Sequence, residues 1–254
     1  DLVRAHRGRA LSPEHPFIRG TAHNPDTFFQ AREAVNPYYA KVPEIVEGAF
    51  QRFAAMTGRS YHLFDYDGDP EAECVLIVMG SGAETARQAA TELRARGERV
   101  GVLQVRLFRP FAVEHLLAAL PAGVRRIAVL DRTKEAGATG EPLFLDVVAS
   151  LAGAVGRGER ATMPLVIGGR FGLSSKDFTP AMAKAAFDEL KREAPRTGFT
   201  LGITDDVSGS SLTTDPDFMI EKPNITRAVF YGLGADGTVG ANKNSVKIIA
   251  EDAG

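Results

Sequence analysis

Between about residue 69 and residue 200, short apolar runs alternate with longer stretches in which apolar residues recur at helical spacing. The short runs have the length and composition of buried strands, and the longer stretches are typical of helices with one buried face. The pattern predicts strands at 75–79, 99–105, 126–130 and 163–167, each followed by a helix, at 83–96, 113–120, 142–155 and 180–192. This alternation favours an α/β fold with a doubly wound parallel sheet.

The regions on either side follow other patterns. Residues 1–68 carry helix signals only: one predicted helix begins at Pro25 and ends at Asn36-Pro37, and another begins near Pro43 and ends at Gly58. The polar sequence 63–70 is interpreted as a turn at a domain boundary. Residues 204–224, rich in Asp, Ser, Thr and Pro, are interpreted as a linker.

The clearest candidate site lies near the end of the chain. A predicted strand at 226–231 precedes Gly232, Gly234 and Gly237, which match G-x-G-x-x-G, and a helix begins directly after them. In this context Gly232 allows a tight turn, Gly234 leaves room for a phosphate, and Gly237 allows helix and strand to pack closely. The helix start offers free N–H groups to an anion. Further candidate contacts are Thr238, Asn242 and the charged Lys243.

Three other stretches follow predicted strands, at the sheet edge where ligands of open α/β folds bind. Gly80-Ser81-Gly82 is interpreted mainly as a tight strand-to-helix turn, with phosphate binding as the alternative. Arg106 and Arg109 stand beside aromatic residues and are interpreted mainly as an interdomain or dimer contact, with binding of a carboxylate or phosphate as the alternative. The polar sequence 131–135 has two interpretations that stay open: it contacts a ligand or another domain, or it forms a solvated loop.

Composition narrows the function classes. The net charge is -2, the pI is about 6.3, and no long basic run occurs, which argues against nucleic-acid and membrane-surface partners. The single cysteine, Cys74, cannot form an intrachain disulfide, in keeping with a cytoplasmic protein. The histidines His6, His15 and His23 lack metal-ligand spacing. The first residue is Asp1, so we expect the chain to be an internal piece of a longer protein.

Taken together, several stretches resemble the pyruvate:ferredoxin (flavodoxin) oxidoreductases, or pyruvate synthases. The resemblance covers essentially the whole chain and rests on ALSPEHP (10–16), IRGT (18–21), NPYY (36–39), TGRSY (57–61), LFDY (63–66), VRLFRPF (105–111), LDRTKE (130–135) and YGLGADGTVGANK (231–243). It implies the tail of a thiamine-pyrimidine-type domain at 1–68. A domain like the transketolase C-terminal domain follows at 69–200, and a linker with the first β-α unit of a truncated, Rossmann-like coenzyme A-binding domain at 201–254.

The resemblance also implies chemistry. Members of the family convert pyruvate and coenzyme A to acetyl-CoA and CO₂ with thiamine diphosphate, Mg²⁺ and [4Fe–4S] clusters, and pass electrons to ferredoxin or flavodoxin. The expected partners are therefore these substrates and carriers, the remaining domains of the same enzyme, and a second subunit of a homodimer. One cysteine cannot hold a [4Fe–4S] cluster, so we expect no redox activity in this piece alone and at most a partial coenzyme A site.

Two other interpretations remain open. The glycine motif alone would fit a nicotinamide-binding dehydrogenase, although the acidic residue that such a site needs further along falls beyond residue 254. The chain would also fit a non-catalytic scaffold or dimerisation module in which the glycine turn is only a tight connection.

Overall fold

The protein is described by a computed structural model that covers residues 1–14, 22–220 and 228–252. The chain divides into two compact units, Asp1–Asp215 and Pro216–Gly254. Each unit is described by itself.

A six-stranded sheet forms the centre of the first unit. The strands are β1 (Phe64–Gly68), β2 (Cys74–Met79), β3 (Val100–Val105), β4 (Arg126–Asp131), β5 (Leu165–Phe171) and β6 (Phe199–Leu201). They lie in the order β1-β3-β2-β4-β5-β6. All neighbouring strands are parallel except β1 and β3, which are antiparallel. The predicted doubly wound parallel sheet is thereby confirmed.

Four helices connect the parallel strands: α4 (Gly82–Ala95), α5 (Val113–Ala119), α6 (Pro142–Gly156) and α7 (Pro180–Lys191). Helices cover both faces of the sheet, so the apolar residues of β2 and β4 are buried on both sides. Leu76, Ile77 and Ile127 have no exposed surface. Burial of each such side chain contributes about 1.5–3 kcal/mol before the entropy cost of ordering the chain.

Three helices precede the sheet: α1 (Leu2–Gly8), α2 (Pro25–Glu33) and α3 (Asn36–Thr57). The expectation that a new helix begins near Pro43 is wrong, because α3 starts at Asn36 and continues through that proline. Pro37 lies in the first turn, where a missing N–H costs nothing, and Pro43 removes a single helical hydrogen bond. The predicted end at Gly58 is confirmed by its φ of 71°.

Two stretches interpreted as turn and linker are ordered. The sequence 63–70 contains β1, in which Gly68 is required because a Cβ there would lie 2.4 Å from the Cα of Gly101. In the supposed linker, the Asp205 carboxylate accepts the N–H groups of Val207, Ser208 and Ser210 at 3.0 Å each. The acidic turn residues concealed β1 from a sequence-based prediction. Residues 202–220 belong to no helix or strand apart from an isolated bridge at Ser211, which agrees with an irregular connection; residues 221–224 lie outside the described chain.

In the second unit, helix α8 (Thr238–Asp252) begins where the glycine motif predicts. The strand predicted before the motif is not observed in its described part, 228–231, while Thr226 and Arg227 lie outside the described residues. A strand needs a hydrogen-bonded neighbour, and no described segment pairs with these residues. No described helix is both long and apolar enough to cross a bilayer.

Candidate functional site

The glycine turn, residues 232–237, depends on glycine for backbone reasons at two positions. Gly234 has a φ of 118° and Gly237 a φ of 84°, both in the region that L-residues with a side chain rarely adopt. A Cβ at either residue would meet no atom within 4 Å. The expectation that Gly237 allows close helix–strand packing is therefore wrong: Gly237 supplies a left-handed bend at the helix start.

Gly232 has a different role in the same turn. A Cβ at this position would lie 2.8 Å from Thr238 Oγ1 and 2.9 Å from Thr238 Cβ, which is too close. The missing side chain lets the N-terminal end of the turn approach Thr238, the first residue of α8. The three glycines and Thr238 are thus brought together in one compact turn.

The start of α8 already holds an anion, the carboxylate of Asp236. One oxygen of this group accepts the N–H of Thr238 at 3.0 Å and its hydroxyl at 2.5 Å, and the other accepts the N–H of Leu233 at 2.8 Å. These bonds, led by that from the Thr238 hydroxyl, lower the pKa of Asp236 to about 2. The carboxylate is therefore ionised at neutral pH, and sequence reasoning missed it although Asp is a preferred residue at helix starts.

The other predicted site residues lie along α8. Asn242 is four residues beyond Thr238 and shares its helix face, with intermediate exposure. Lys243 is exposed in the second turn, and its ammonium forms no ion pair within the described chain. Lys243, the first cationic residue of α8 after the turn, is therefore available to a ligand. The Thr238 hydroxyl, in contrast, donates to Asp236.

The carboxyl edge of the sheet in the first unit has the topology of a ligand site. The strand order reverses between β2 and β4, which is where open α/β sheets form a crevice. After β2, Gly80 adopts a φ of 68°, and a Cβ on Gly82 would lie 2.8 Å from the Phe171 ring. Phe171 on β5 therefore occupies the space beside α4, which supports the interpretation of 80–82 as a tight turn.

The two arginines after β3 are held within the unit. Arg106 forms an ion pair with Asp65, donates to Gln104 Oε1 at 2.9 Å and lies 4.2 Å from the centre of the Tyr61 ring. Arg109 pairs with Asp146 at 2.7 Å and covers a phenylalanine ring. Both guanidinium groups tie neighbouring elements together.

The polar sequence after β4 is also bonded internally. Asp131 is 1% exposed, and its carboxylate accepts the N–H groups of Leu143 and Phe144 at 3.0 and 3.1 Å, in the first turn of α6. Burial raises the pKa of Asp131, against the opposing effect of these two hydrogen bonds. Arg132 donates to the carbonyls of Gly172 and Ser174 at 2.7 and 3.2 Å. Asp131 is thus buried at the end of β4, whereas Arg132, Lys134 and Glu135 are exposed. For residues 132–135 both alternatives, contact with a ligand or domain and a solvated loop, stay open.

A buried ion pair at the same edge escaped sequence reasoning. Arg170 pairs with Glu141, whose side chain is 4% exposed, and donates to the carbonyl of Gly198 at 2.7 Å. Glu141 also accepts the N–H of Glu135 at 2.6 Å. The two residues are 29 positions apart, so no local pattern joins them.

No group of three or more His, Cys, Asp or Glu side chains within the described ranges is arranged to hold a metal ion. His6 and His23 belong to those ranges, and His15 lies outside them.

Comparison with known proteins shows which class of protein the chain resembles. Residues 72–171 match the family model described as pyruvate:ferredoxin oxidoreductase core domain II. The chain is 61% identical over 252 residues to the pyruvate-flavodoxin oxidoreductase of Trichormus variabilis, covering 99% of this chain and 21% of that protein. It is 62% identical over 253 residues to the enzyme of the same name from Rhodospirillum rubrum, with the same coverage of 99% and 21%.

The chain therefore belongs to the pyruvate:ferredoxin (flavodoxin) oxidoreductase family, and it spans about a fifth of the length of the curated relatives it matches. Among solved structures, 2-oxoglutarate:ferredoxin oxidoreductase from Magnetococcus marinus, with 2-oxoglutarate, coenzyme A and succinyl-CoA bound, matches at a TM-score of 0.38 and 18% identity. That match covers 68% of this chain and 25% of the other, and the likeness is too distant to carry an argument.

Proposed function

We propose that the complete protein to which this chain belongs oxidises pyruvate in the presence of coenzyme A. The products are acetyl-CoA and CO₂, and the electrons pass to ferredoxin or flavodoxin. The observation that carries this proposal is the 61% identity, over 99% of the chain, to a relative named pyruvate-flavodoxin oxidoreductase. Within this protein, we assign residues 1–68, 69–200 and 201–254 to three successive domains, and we expect a homodimer in the cytoplasm.

The electron-transfer cofactors do not fit residues of this chain. A [4Fe–4S] cluster takes four thiolates, whereas the sequence holds one cysteine, and that residue is buried in β2. The proposal therefore assigns the clusters, thiamine diphosphate and Mg²⁺ to the rest of the polypeptide. The first unit contributes a supporting domain, since the polar groups after β3 and β4 bond to other elements of the same unit.

The glycine turn is the part of the chain that we propose contacts coenzyme A. Open space beside Gly234 admits a phosphate group, and Lys243 on α8 supplies a positive charge without a partner in the described chain. Asn242 adds a polar group on the helix face of Thr238. The Thr238 hydroxyl donates to Asp236, so Thr238 becomes a phosphate contact only if this bond is exchanged. The Asp236 carboxylate accepts the N–H and the hydroxyl of Thr238, the first residue of α8. The phosphate therefore binds through Lys243 rather than at this N–H, and only part of the site lies in this chain.

The overall proposal is tested with the full-length protein. We expect acetyl-CoA to form only when pyruvate, coenzyme A and an electron carrier are all present. Reduction of NAD without coenzyme A would instead support the dehydrogenase interpretation. Absence of any turnover, with the full-length protein folded and loaded with its clusters, would leave the scaffold interpretation.

A further inference from the structure

A groove between α3 and α5 in the first unit has no assigned role. The groove is open to solvent and has a volume of about 820 Å³. Small residues at Ala40 and Gly48 on α3, and at Ala112 before α5, leave space where larger side chains would close the gap. A volume of this size is in the range of protein binding pockets, about 300–1,000 Å³.

The walls of the groove carry negative charge. Glu47 is already engaged, because its carboxylate accepts the N–H of Leu63 at 2.9 Å and lies 3.2 Å from His62 Nδ1. Glu44 on α3 and Glu114 on α5 are exposed, and neither forms an ion pair with any described residue. Two carboxylates without an ion pair in the described chain thus stand on different helices, and the apolar residues Ala40, Pro43 and Val113 line the same groove.

This combination suits one kind of occupant. Arginine and lysine place a long apolar stem along an apolar surface while the charged end reaches a carboxylate. Complementary charge across an interface favours the correct partner and repels others. The inference rests on the proposed function, in which this chain is one part of a longer protein. The curated relatives are about five times as long as this chain, which covers 21% of them, so in a protein of that length most of the polypeptide that could reach the groove would lie outside residues 1–254.

We propose that the groove between α3 and α5 binds a cationic segment of the same polypeptide from outside residues 1–254, with Glu44 and Glu114 as its ion-pair partners. The segment locks α3 against α5 and thereby fixes the helical N-terminal part onto the sheet domain. This inference is independent of the assignment of coenzyme A to the glycine turn.

The first test is carboxyl footprinting of the full-length protein, in which a carbodiimide couples a small amine to accessible carboxylates and mass spectrometry measures the rate at each residue. Glu193 is the matched control, because it is exposed and has no ion pair in the described chain. We expect Glu44 and Glu114 to react several-fold more slowly than Glu193. Equal rates at the three glutamates would overturn the proposal, because the groove would then be open.

The charge of the occupant is tested by measuring the labelling rate of Glu114 in variants of the groove. Glu44→Lys repels a cationic segment, and Gly48→Met fills the floor of the groove without a charge change. In both variants we expect Glu114 to react about as fast as Glu193, whereas the control Glu193→Lys leaves Glu114 protected. Retained protection of Glu114 in Glu44→Lys shows that the occupant is not cationic and overturns the proposal.

The source of the occupant is tested by a photo-reactive benzoylphenylalanine at His115, which lines the groove but is not one of the proposed ion-pair partners. We expect a cross-link to a peptide from outside residues 1–254, in a product that migrates as a single chain on a denaturing gel. A product of twice that mass assigns the groove to a second copy. That result, or a failure to cross-link, contradicts the proposal.

Discussion

Two helix starts in this chain are held by an aspartate, and the two carboxylates stand in opposite environments. Asp131 receives two N–H groups of α6 deep within the first unit, while Asp236 receives N–H and O–H groups at the exposed start of α8. Burial raises the pKa of Asp131, and the hydrogen bonds lower the pKa of Asp236 to about 2. Hydrogen bonds from N–H groups favour the charged form of both carboxylates, but at Asp131 the opposing effect of burial is larger.

The comparison extends to function. At the carboxyl edge of the sheet, the Asp131 carboxylate accepts backbone N–H groups of α6. Glu141 pairs with Arg170, which also donates to a backbone carbonyl. At the glycine turn, Lys243 remains exposed and unpaired in the described chain. The polar groups at the carboxyl edge of the sheet therefore stabilise the fold, whereas the ammonium group of Lys243 is available to bind a ligand.

The largest expected effect comes from breaking the buried ion pair. Arg170→Leu leaves the Glu141 carboxylate buried without its partner, which typically costs about 3–5 kcal/mol. Native-state hydrogen exchange of amides in β5 measures this loss of local stability. The matched control Arg157→Leu removes an exposed arginine paired with Glu159 and should change those amides little. Equal effects of the two substitutions would show that burial does not determine how much each ion pair contributes to stability.

A smaller loss is expected when the buried helix start loses its acceptor. Asp131→Ala leaves the N–H groups of Leu143 and Phe144 without a partner, at a cost of about 2–4 kcal/mol. Exchange of the amides in β4 and α6 reports this loss. The exposed Asp188→Ala, which removes a partner of Lys184, should cost less than about 1 kcal/mol. A cost below that of the control would mean that the bonds of Asp131 contribute nothing net.

The pH dependence of stability separates the two carboxylates by sign. The pKa of Asp131 is raised on folding, so its contribution to the free energy of unfolding decreases as pH rises from the ordinary Asp value of about 4 through the raised pKa. Asp131→Asn should remove this slope. Asp236 behaves oppositely: its stabilisation is present above about pH 4 and is lost as pH falls towards about 2. Carboxyl ¹³C titration of both residues checks the signs, and parallel titrations would contradict the comparison.

The smallest expected effect is local to the glycine turn. Asp236→Ala removes the acceptor for the amides of Leu233 and Thr238, so both should exchange several-fold faster while the sheet is unaffected. Asp252→Ala, at the other end of α8, should leave these two amides unchanged. Unchanged exchange in Asp236→Ala would show that the helix start does not depend on this carboxylate.

The parallel strands were predictable because each is a continuous apolar run with a helix after it. β1 was missed because Asp65, Asp67 and Gly68 are typical of turns; the strand forms through antiparallel pairing with β3. β6 was missed because three residues are too short for a pattern.

In the site, the positions of the three glycines and the helix start were predictable from local spacing. The bonds of Asp131 and the pairing of Glu141 with Arg170 were not, because they join residues that only the folded sheet brings together. Asp236 could have been predicted: it stands two residues before Thr238, and Asp side chains in turns commonly accept the backbone N–H two residues further on.

The central claim is that Lys243 at the glycine turn contacts a phosphate of coenzyme A. Calorimetric titration of the full-length protein with coenzyme A tests it most directly, with Lys247, exposed one turn further along α8, as the matched control. We predict that Lys243→Ala weakens binding about tenfold, equivalent to about 1.4 kcal/mol, while Lys247→Ala has little effect. Equal affinities in the two variants, or tighter binding of NAD than of coenzyme A, would contradict the claim.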